Sequence, residues 1–240
     1  MKRLVLGPRS VTEALRANAA EVSVIYLADE GRRELAEIAA LARQRNVAVE
    51  ARSPDELTTL ARGERHQGVI AIGGSYSYLS FEELRDQLPD NPLLVALDEI
   101  TDPHNFGAIV RSAVAFGAAG VLTLKQRAAP VTPVVVRASA GATEHARIAR
   151  VTNLATTLSG LADEGFDVIG LAAEASVDLR AWKVPTGPRV LVVGSEGRGL
   201  RRLVRERCTE LVRIPMNGPI ESLNASVAAA IALYALSAPA

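Results

Sequence analysis

Three short segments in the C-terminal part of this 240-residue chain are rich in Gly, Asn, Ser and Glu, residue types that hold polar ligands. The first runs from Leu97 to Arg111. It places Asn105, Gly107 and Arg111 around an expected helix start, with Arg111 one turn beyond Gly107. An amide and a fixed cation beside a helix start could hydrogen-bond a polar or anionic ligand. In the second, the apolar run Leu191–Val193 leads into Gly194, Ser195, Glu196, Gly197, Arg198 and Gly199. Glycines after a buried strand let backbone approach a ligand closely, and Glu196 is expected in the first turn of a following helix. The third passes from Ile214 and Met216 to Ser222, Leu223, Asn224 and Ser226, which open an Ala-rich helix. Two hydroxyls and an amide exceed what one helix cap needs. Each segment also has a plainer reading, as a cap, a tight turn or a surface cation.

Two familiar chemistries fail on spacing. The dinucleotide fingerprint G-x-G-x-x-G is not matched by Gly194, Gly197 and Gly199, and Val193 stands where a nucleophile elbow around Ser195 needs glycine. No histidine lies inside the second or third segment; His66, His104 and His145 read as structural, and no metal is required.

The elements that must position these segments are strands and helices in alternation. Leu93–Leu97, Gly120–Leu124, Val168–Leu171 and Val190–Val193 are apolar throughout, as in a parallel sheet covered on both faces, where ligands bind at the carboxyl ends of strands. The closing helix is expected over Ser222–Leu236 and another over Gly199–Arg207. Residues 1–73 read as a smaller α/β domain, with one helix opening at Ser10 as a capping box with Glu13 and another at Ser53-Pro54. The Gly-, Pro- and Asn-flanked stretch 74–92 reads as a linker, and 93–240 as the larger domain.

Lys plus Arg equals Asp plus Glu at 27 each, so nucleic-acid binding would need a local basic face rather than overall charge. One cysteine, Cys208, precludes an intrachain disulfide and reads as a packing residue in a reducing compartment. No apolar run is long enough to span a bilayer, and a cytoplasmic location is expected. Two other classes fit parts of the pattern: an NAD-binding oxidoreductase, weakened by the glycine spacing, and an inactive RNA-assembly factor, weakened by the intact polar residues.

Taken in order, Asn105-x-Gly107-x-x-x-Arg111, Gly194-Ser195-Glu196-Gly197-x-Gly199, Ile214-Pro215-Met216 and Ser222-Leu223-Asn224-x-Ser226-Val227 resemble the motifs of the SpoU (TrmH) RNA ribose methyltransferases. Gly7–Leu15 and His66–Ala71 resemble the ends of that family's L30e-like substrate-binding domain, so the likeness covers nearly the whole chain. It implies a fold that periodicity does not show: a C-terminal α/β knot (SPOUT, deep trefoil knot) carrying a parallel-sheet methyltransferase domain. It also implies S-adenosylmethionine as cofactor and transfer of its methyl group to a ribose 2′-hydroxyl of RNA. The expected substrate is a guanosine of 23S rRNA, with tRNA second, and the expected assembly a homodimer through the knotted domain. By resemblance, Asn105, Arg111, Glu196, Ser222 and Asn224 are the catalytic set. Leu171, Ala172, Ala173, Gly194, Ser195, Gly199, Ile214, Met216 and Leu223 would hold the cofactor. Phe106 and Ala225 depart from the residues usual in the family, without touching a polar role.

Overall fold

The computed structural model describes residues 3–29, 31–219 and 222–237. Its first elements are β1 (Arg3–Leu6), α1 (Pro8–Asn18), β2 (Val22–Leu27), α2 (Arg33–Gln44), β3 (Ala48–Ala51), α3 (Pro54–Leu60) and β4 (Val69–Gly73). Then come α4 (Phe81–Arg85), β5 (Leu93–Asp98), α5 (Pro103–Ala115), β6 (Gly120–Leu124), α6 (Pro133–Ala138), β7 (Ile148–Val151) and α7 (Leu154–Asp163). The chain continues through β8 (Asp167–Leu171), β9 (Val177–Asp178), β10 (Arg189–Gly194), α8 (Arg202–Arg205) and β11 (Glu210–Arg213) to α9 (Ala225–Ser237). It divides into two compact units. One runs to Ser77 and takes in Pro130–His145; the other holds Tyr78–Ala129 and Ala146 onward.

The first unit is a four-stranded sheet in the order β1-β4-β2-β3, with β4 antiparallel to both neighbours and β2 parallel to β3. Leu15, Ile25, Leu35 and Val69 form its main core with α1 and α2, and Leu57 of α3 packs with Leu6 and Ile70 in a second cluster. Ser53 and Glu56 cap α3 reciprocally, as the sequence predicts. The start of α1 differs: Pro8 occupies its first turn and Gly7, at φ 89°, precedes it, so Ser10 lies inside the helix, buried, and its hydroxyl donates to the Val136 carbonyl at 3.4 Å.

Segment 130–145, assigned from sequence to the 93–240 domain, belongs to this first unit for identifiable reasons. Val136 is fully buried in its main core, Arg137 pairs with Glu64 at 2.7 Å, and Glu144 accepts two hydrogen bonds from the Arg3 guanidinium at 2.9 Å each. Burial raises the Glu144 carboxyl above its ordinary range, against the pull of Arg3.

The second unit is a seven-stranded, wholly parallel sheet in the order β7-β6-β5-β10-β8-β11-β9. Every residue of β5 and β6 is buried, which explains why these strands read as unbroken apolar runs rather than alternating ones. The protein is thus α/β, with the larger parallel sheet preceded by a smaller α/β unit. The chain leaves β7 at one edge and returns to the sheet's interior, where β10 stands between β5 and β8. The two-residue strand β9 carries no apolar pattern and is not anticipated from sequence. The last helix, α9, packs on α5 and β10, and the Arg189 guanidinium holds its end through the Leu236 carbonyl at 2.8 and 3.2 Å. No described helix is long and apolar enough to cross a membrane.

Candidate functional site

Parallel strands deliver all their carboxyl ends to one edge, and the three polar segments meet along it. The first segment starts its helix earlier than expected. Pro103 is the first residue of α5, and Asp102 caps it by accepting from His104 N at 3.3 Å and Asn105 N at 2.9 Å. Asn105 is therefore in the first turn and buried. Arg111 lies more than two turns in rather than one, exposed and without a polar partner among the described residues. Six residues separate the two side chains, so they point about 120° apart around the helix and sit about 9 Å apart along it.

The second segment is a tight loop rather than a helix start. β10 ends at Gly194, and the chain doubles back so that Gly199 N donates to the Ser195 carbonyl at 2.9 Å. A Cβ built on Gly194 would stand 2.2 Å from the Gly199 carbonyl carbon. Glycine is required at position 194 by this backbone crossing; a clash with bound ligand is not needed to explain it. Gly197 and Gly199 turn the loop at φ 80° and 65°. Glu196 sits exposed in this loop, and the helix expected over Gly199–Arg207 shrinks to the four residues of α8.

In the third segment the described residues 214–219 and 222–224 belong to no helix or strand, and α9 begins at Ala225 and not at Ser222. Asn224 caps it, its Oδ1 accepting from Ser226 N at 2.9 Å and Ser226 Oγ at 2.6 Å. Ile220 and Glu221 of this segment lie outside the described residues.

These elements bring one side chain from each segment together. Asn224 Nδ2 donates to Asn105 Oδ1 at 2.9 Å, Asn105 Nδ2 donates to Glu196 Oε2 at 3.2 Å, and Asn224 Nδ2 also reaches Glu196 Oε2 at 3.4 Å. The Glu196 carboxylate is thus oriented by two amides from helices far apart in sequence, an arrangement that fixes a hydrogen-bond acceptor in place. Glu196 also lines a cleft of about 490 Å³, together with Ser222. All nine residues expected to hold the cofactor line the same cleft: Leu171, Ala172, Ala173, Gly194, Ser195, Gly199, Ile214, Met216 and Leu223. Of the five residues expected to be catalytic, Arg111 alone neither lines the cleft nor touches the trio.

Sequence reading missed the charged framework around this site. Asp98 ends β5, is fully buried, and accepts from Arg201 N at 2.8 Å and Nε at 2.7 Å, while Arg201 Nη1 stands 3.5 Å from Glu99. This clamp ties the end of the second segment to the strand before the first. The legible signal was an acidic pair closing an otherwise apolar strand. Glu174 and Arg205, which pair with each other, and Arg198 also line the cleft and carried no such signal. The histidines have structural partners in two cases: His66 with Thr58 and Gly68 N, and His145 with Glu13.

Comparison with known proteins extends this geometry. Residues 92–234 match the model of the SpoU rRNA methylase family, and residues 4–79 match that of the RNA 2′-O ribose methyltransferase substrate-binding domain. The chain is 37% identical to YacO of Bacillus subtilis, named a TrmH family tRNA/rRNA methyltransferase, over 96% of this chain and 93% of that protein. An S-adenosylmethionine-bound rRNA methyltransferase from Sinorhizobium meliloti, 28% identical, superposes with a TM-score of 0.79 over 98% of this chain and 86% of its own. The A. aeolicus TrmH/SpoU tRNA modifying enzyme, also 28% identical, matches with a TM-score of 0.55 over 65% of this chain and 80% of its own. With more than half the chain inside one family model, and a relative above 30% identity matched along nearly its full length, this protein belongs to the SpoU family of RNA ribose methyltransferases.

Proposed function

We propose that this protein methylates the ribose 2′-hydroxyl of a guanosine in 23S rRNA, using S-adenosylmethionine, as a cytoplasmic homodimer. The observation that carries the reading is the convergence of Asn105, Glu196 and Asn224 beside the cleft that Glu196 lines. The cleft's walls fit the cofactor: small and apolar side chains from Leu171–Ala173 and the segment around Ile214, with backbone from the Gly194–Gly199 loop, suit a flat base and a thioether-like chain. When bound, S-adenosylmethionine supplies an electrophilic methyl group on a sulfonium.

The remaining work falls to the chain's own side chains. A ribose hydroxyl is a weak acid, so its proton must be accepted or its developing charge offset as the new C–O bond forms. A guanidinium is a poor base, so Arg111 serves as charge. Glu196, held by the two asparagines, accepts a hydrogen bond from the substrate or from a guanidinium brought beside it, and Ser222 adds a hydroxyl to the same pocket. Arg111 points away from Asn105 on its own helix, and α9, which packs on α5, exposes Val227, Ile231 and Tyr234 in one stripe at helical spacing. That exposed apolar stripe, which a second copy would cover, supports the dimer.

The choice of rRNA rests on coverage. The rRNA methyltransferase neighbour matches this chain including its first unit, whereas the tRNA-modifying neighbour matches about two thirds of it. Transfer of tritiated methyl to RNA from a deletion strain, followed by mapping of 2′-O-methyl positions, tests the reading. Restoration of a 23S mark is expected; loss of a tRNA mark with rRNA marks intact overturns the substrate. Arg111→Ala is expected to lower turnover by about 10²–10³-fold with unchanged cofactor affinity. Sedimentation at micromolar concentration showing only a 25.4 kDa species overturns the dimer.

A further inference from the structure

A second cavity of about 1010 Å³ opens on the second unit, apart from the cofactor cleft, and shares no lining residue with it. Its walls include Lys125, which directly follows β6, and Thr152 and Asn153, which directly follow β7. It therefore lies on the same carboxyl edge as the cofactor cleft. β7 stands three positions from β10 in the sheet, about 14 Å at the usual strand spacing, within reach of a few nucleotides.

The side chains here are arranged as a stack and a charge. The Arg150 guanidinium lies 3.6 Å from the centre of the Tyr78 ring, and its buried Nε has no hydrogen-bond partner among the described residues. An arginine on an edge strand can simply guard that edge against pairing. That explanation is weak here, because Leu79 already covers β7, donating to Ile148 O at 3.0 Å and accepting from Arg150 N at 3.2 Å. Lys125 is exposed and unpaired among the described residues. Of the acids lining the cavity, Glu83 is engaged by Ser80 N at 2.7 Å and Glu164 by Arg85 at 3.0 Å, which leaves Glu82. A cation beside a stacked arginine–aromatic pair is what unpaired RNA meets on proteins that hold its backbone and bases without duplex structure.

We propose that this cavity is an RNA subsite for the strand flanking the methylated nucleotide, with Lys125 on a phosphate and the Tyr78–Arg150 stack supporting an unpaired base. The proposal rests on the RNA methyltransferase reading, so its test must fail separately. The probe is a short, unstructured, fluorescein-labelled oligoribonucleotide, titrated at several salt concentrations. For Lys125→Gln the slope of log affinity against log salt is expected to fall by about 0.7, one single-strand phosphate contact. S-adenosylmethionine affinity should not change. Tyr78→Ala should weaken RNA binding about tenfold and Tyr78→Phe should restore it. Arg202→Gln, an equal charge change on the exposed start of α8 and outside both cavities, should leave the slope alone. An unchanged slope in Lys125→Gln, or an equal fall in Arg202→Gln, overturns the subsite and leaves the methyltransferase reading standing. Wild-type protein that binds no RNA overturns both.

Discussion

The carboxyl edge of the large sheet is built in two ways. Around β8, β10 and β11 it is made largely of backbone and small side chains, the loop from Gly194 to Gly199, Ala172, Ala173 and Ile214, with the Glu174–Arg205 pair and Arg198 at its charged part. Around β5, β6 and β7 it is made of long charged side chains: Asp98 with Arg201, Glu99 with Arg127 at 3.3 Å, Lys125, and Arg150 on Tyr78. The two constructions meet where Gly194 and Asp98 pair in register. A wall of backbone presents fixed donors and acceptors to a ligand of one shape, and it tolerates almost no added atom. A wall of side chains tolerates change at single atoms but depends on charge partners. The difference predicts opposite sensitivities to substitution.

The largest effect belongs to the backbone wall. Gly194→Ala adds one carbon, yet that carbon would lie 2.2–2.5 Å from the backbone of Gly199 and Leu200, neither of which can rotate away. The loop must shift as a whole. Expected are a loss of about 3 kcal/mol in denaturant unfolding and a fall in S-adenosylmethionine affinity of at least about 100-fold by titration. Near-wild-type affinity would show that the loop relaxes freely and that the wall is not rigid.

In the charged half, Asp98→Asn keeps the shape and removes the charge. The carboxylate accepts three donors from Arg201, two on the guanidinium and one on the backbone, in a position with no solvent exposure. Arg201 itself is 38% exposed and can regain water, so the cost is expected at the low end for a buried pair, about 2 kcal/mol. Because the clamp holds the end of the Gly194–Gly199 loop, turnover should fall more than RNA affinity does. Equal losses in both would mean that Asp98 merely supports the fold.

The same contrast explains what could be read from sequence. A backbone wall leaves a dense glycine signal, so Gly194, Gly197, Gly199 and the polar run at Ser222–Asn224 stand out from the amino-acid order alone. The nine cleft-lining positions expected to hold the cofactor follow from family resemblance built on that signal. Charged side chains carry little: beyond the acidic pair that closes β5, Arg201, Glu174 and Arg205 look like any surface residues, because their meaning lies in partners across 31–103 positions of sequence. Helix starts erred where two capping choices competed, Asp102 over Asn105 and Gly7-Pro8 over Ser10. The return of 130–145 to the first unit was illegible because its anchors, Val136 and Glu144, are ordinary residues whose partners lie between 65 and 141 positions earlier.

The smallest effect concerns Cys208, which tests how firmly the packing beneath the backbone-walled half is closed. A Cβ placed on Gly170 of β8 would come within 2.7 Å of the Cys208 sulfur, so the thiol fills the space that this glycine leaves under the sheet. Its Sγ donates to the Val204 carbonyl at 3.5 Å. Burial pushes the thiol pKa up to about 12; Arg205 pulls it down and Asp98 adds to the rise. At pH 8 only about one molecule in 10⁴ then carries the thiolate, and a disulfide reagent should react roughly a thousandfold more slowly than with an unfolded control. The sign with pH follows from the same shift. An unfolded thiol ionises near pH 9 while the folded one holds its proton, so wild-type protein should lose stability relative to Cys208→Ser as pH rises from 9 towards 12, and not below 9. Rapid labelling at pH 8 would place Cys208 in a segment that opens readily, and the packing beneath β8 would then be a weaker support for the cleft than the close contacts at Gly170 imply.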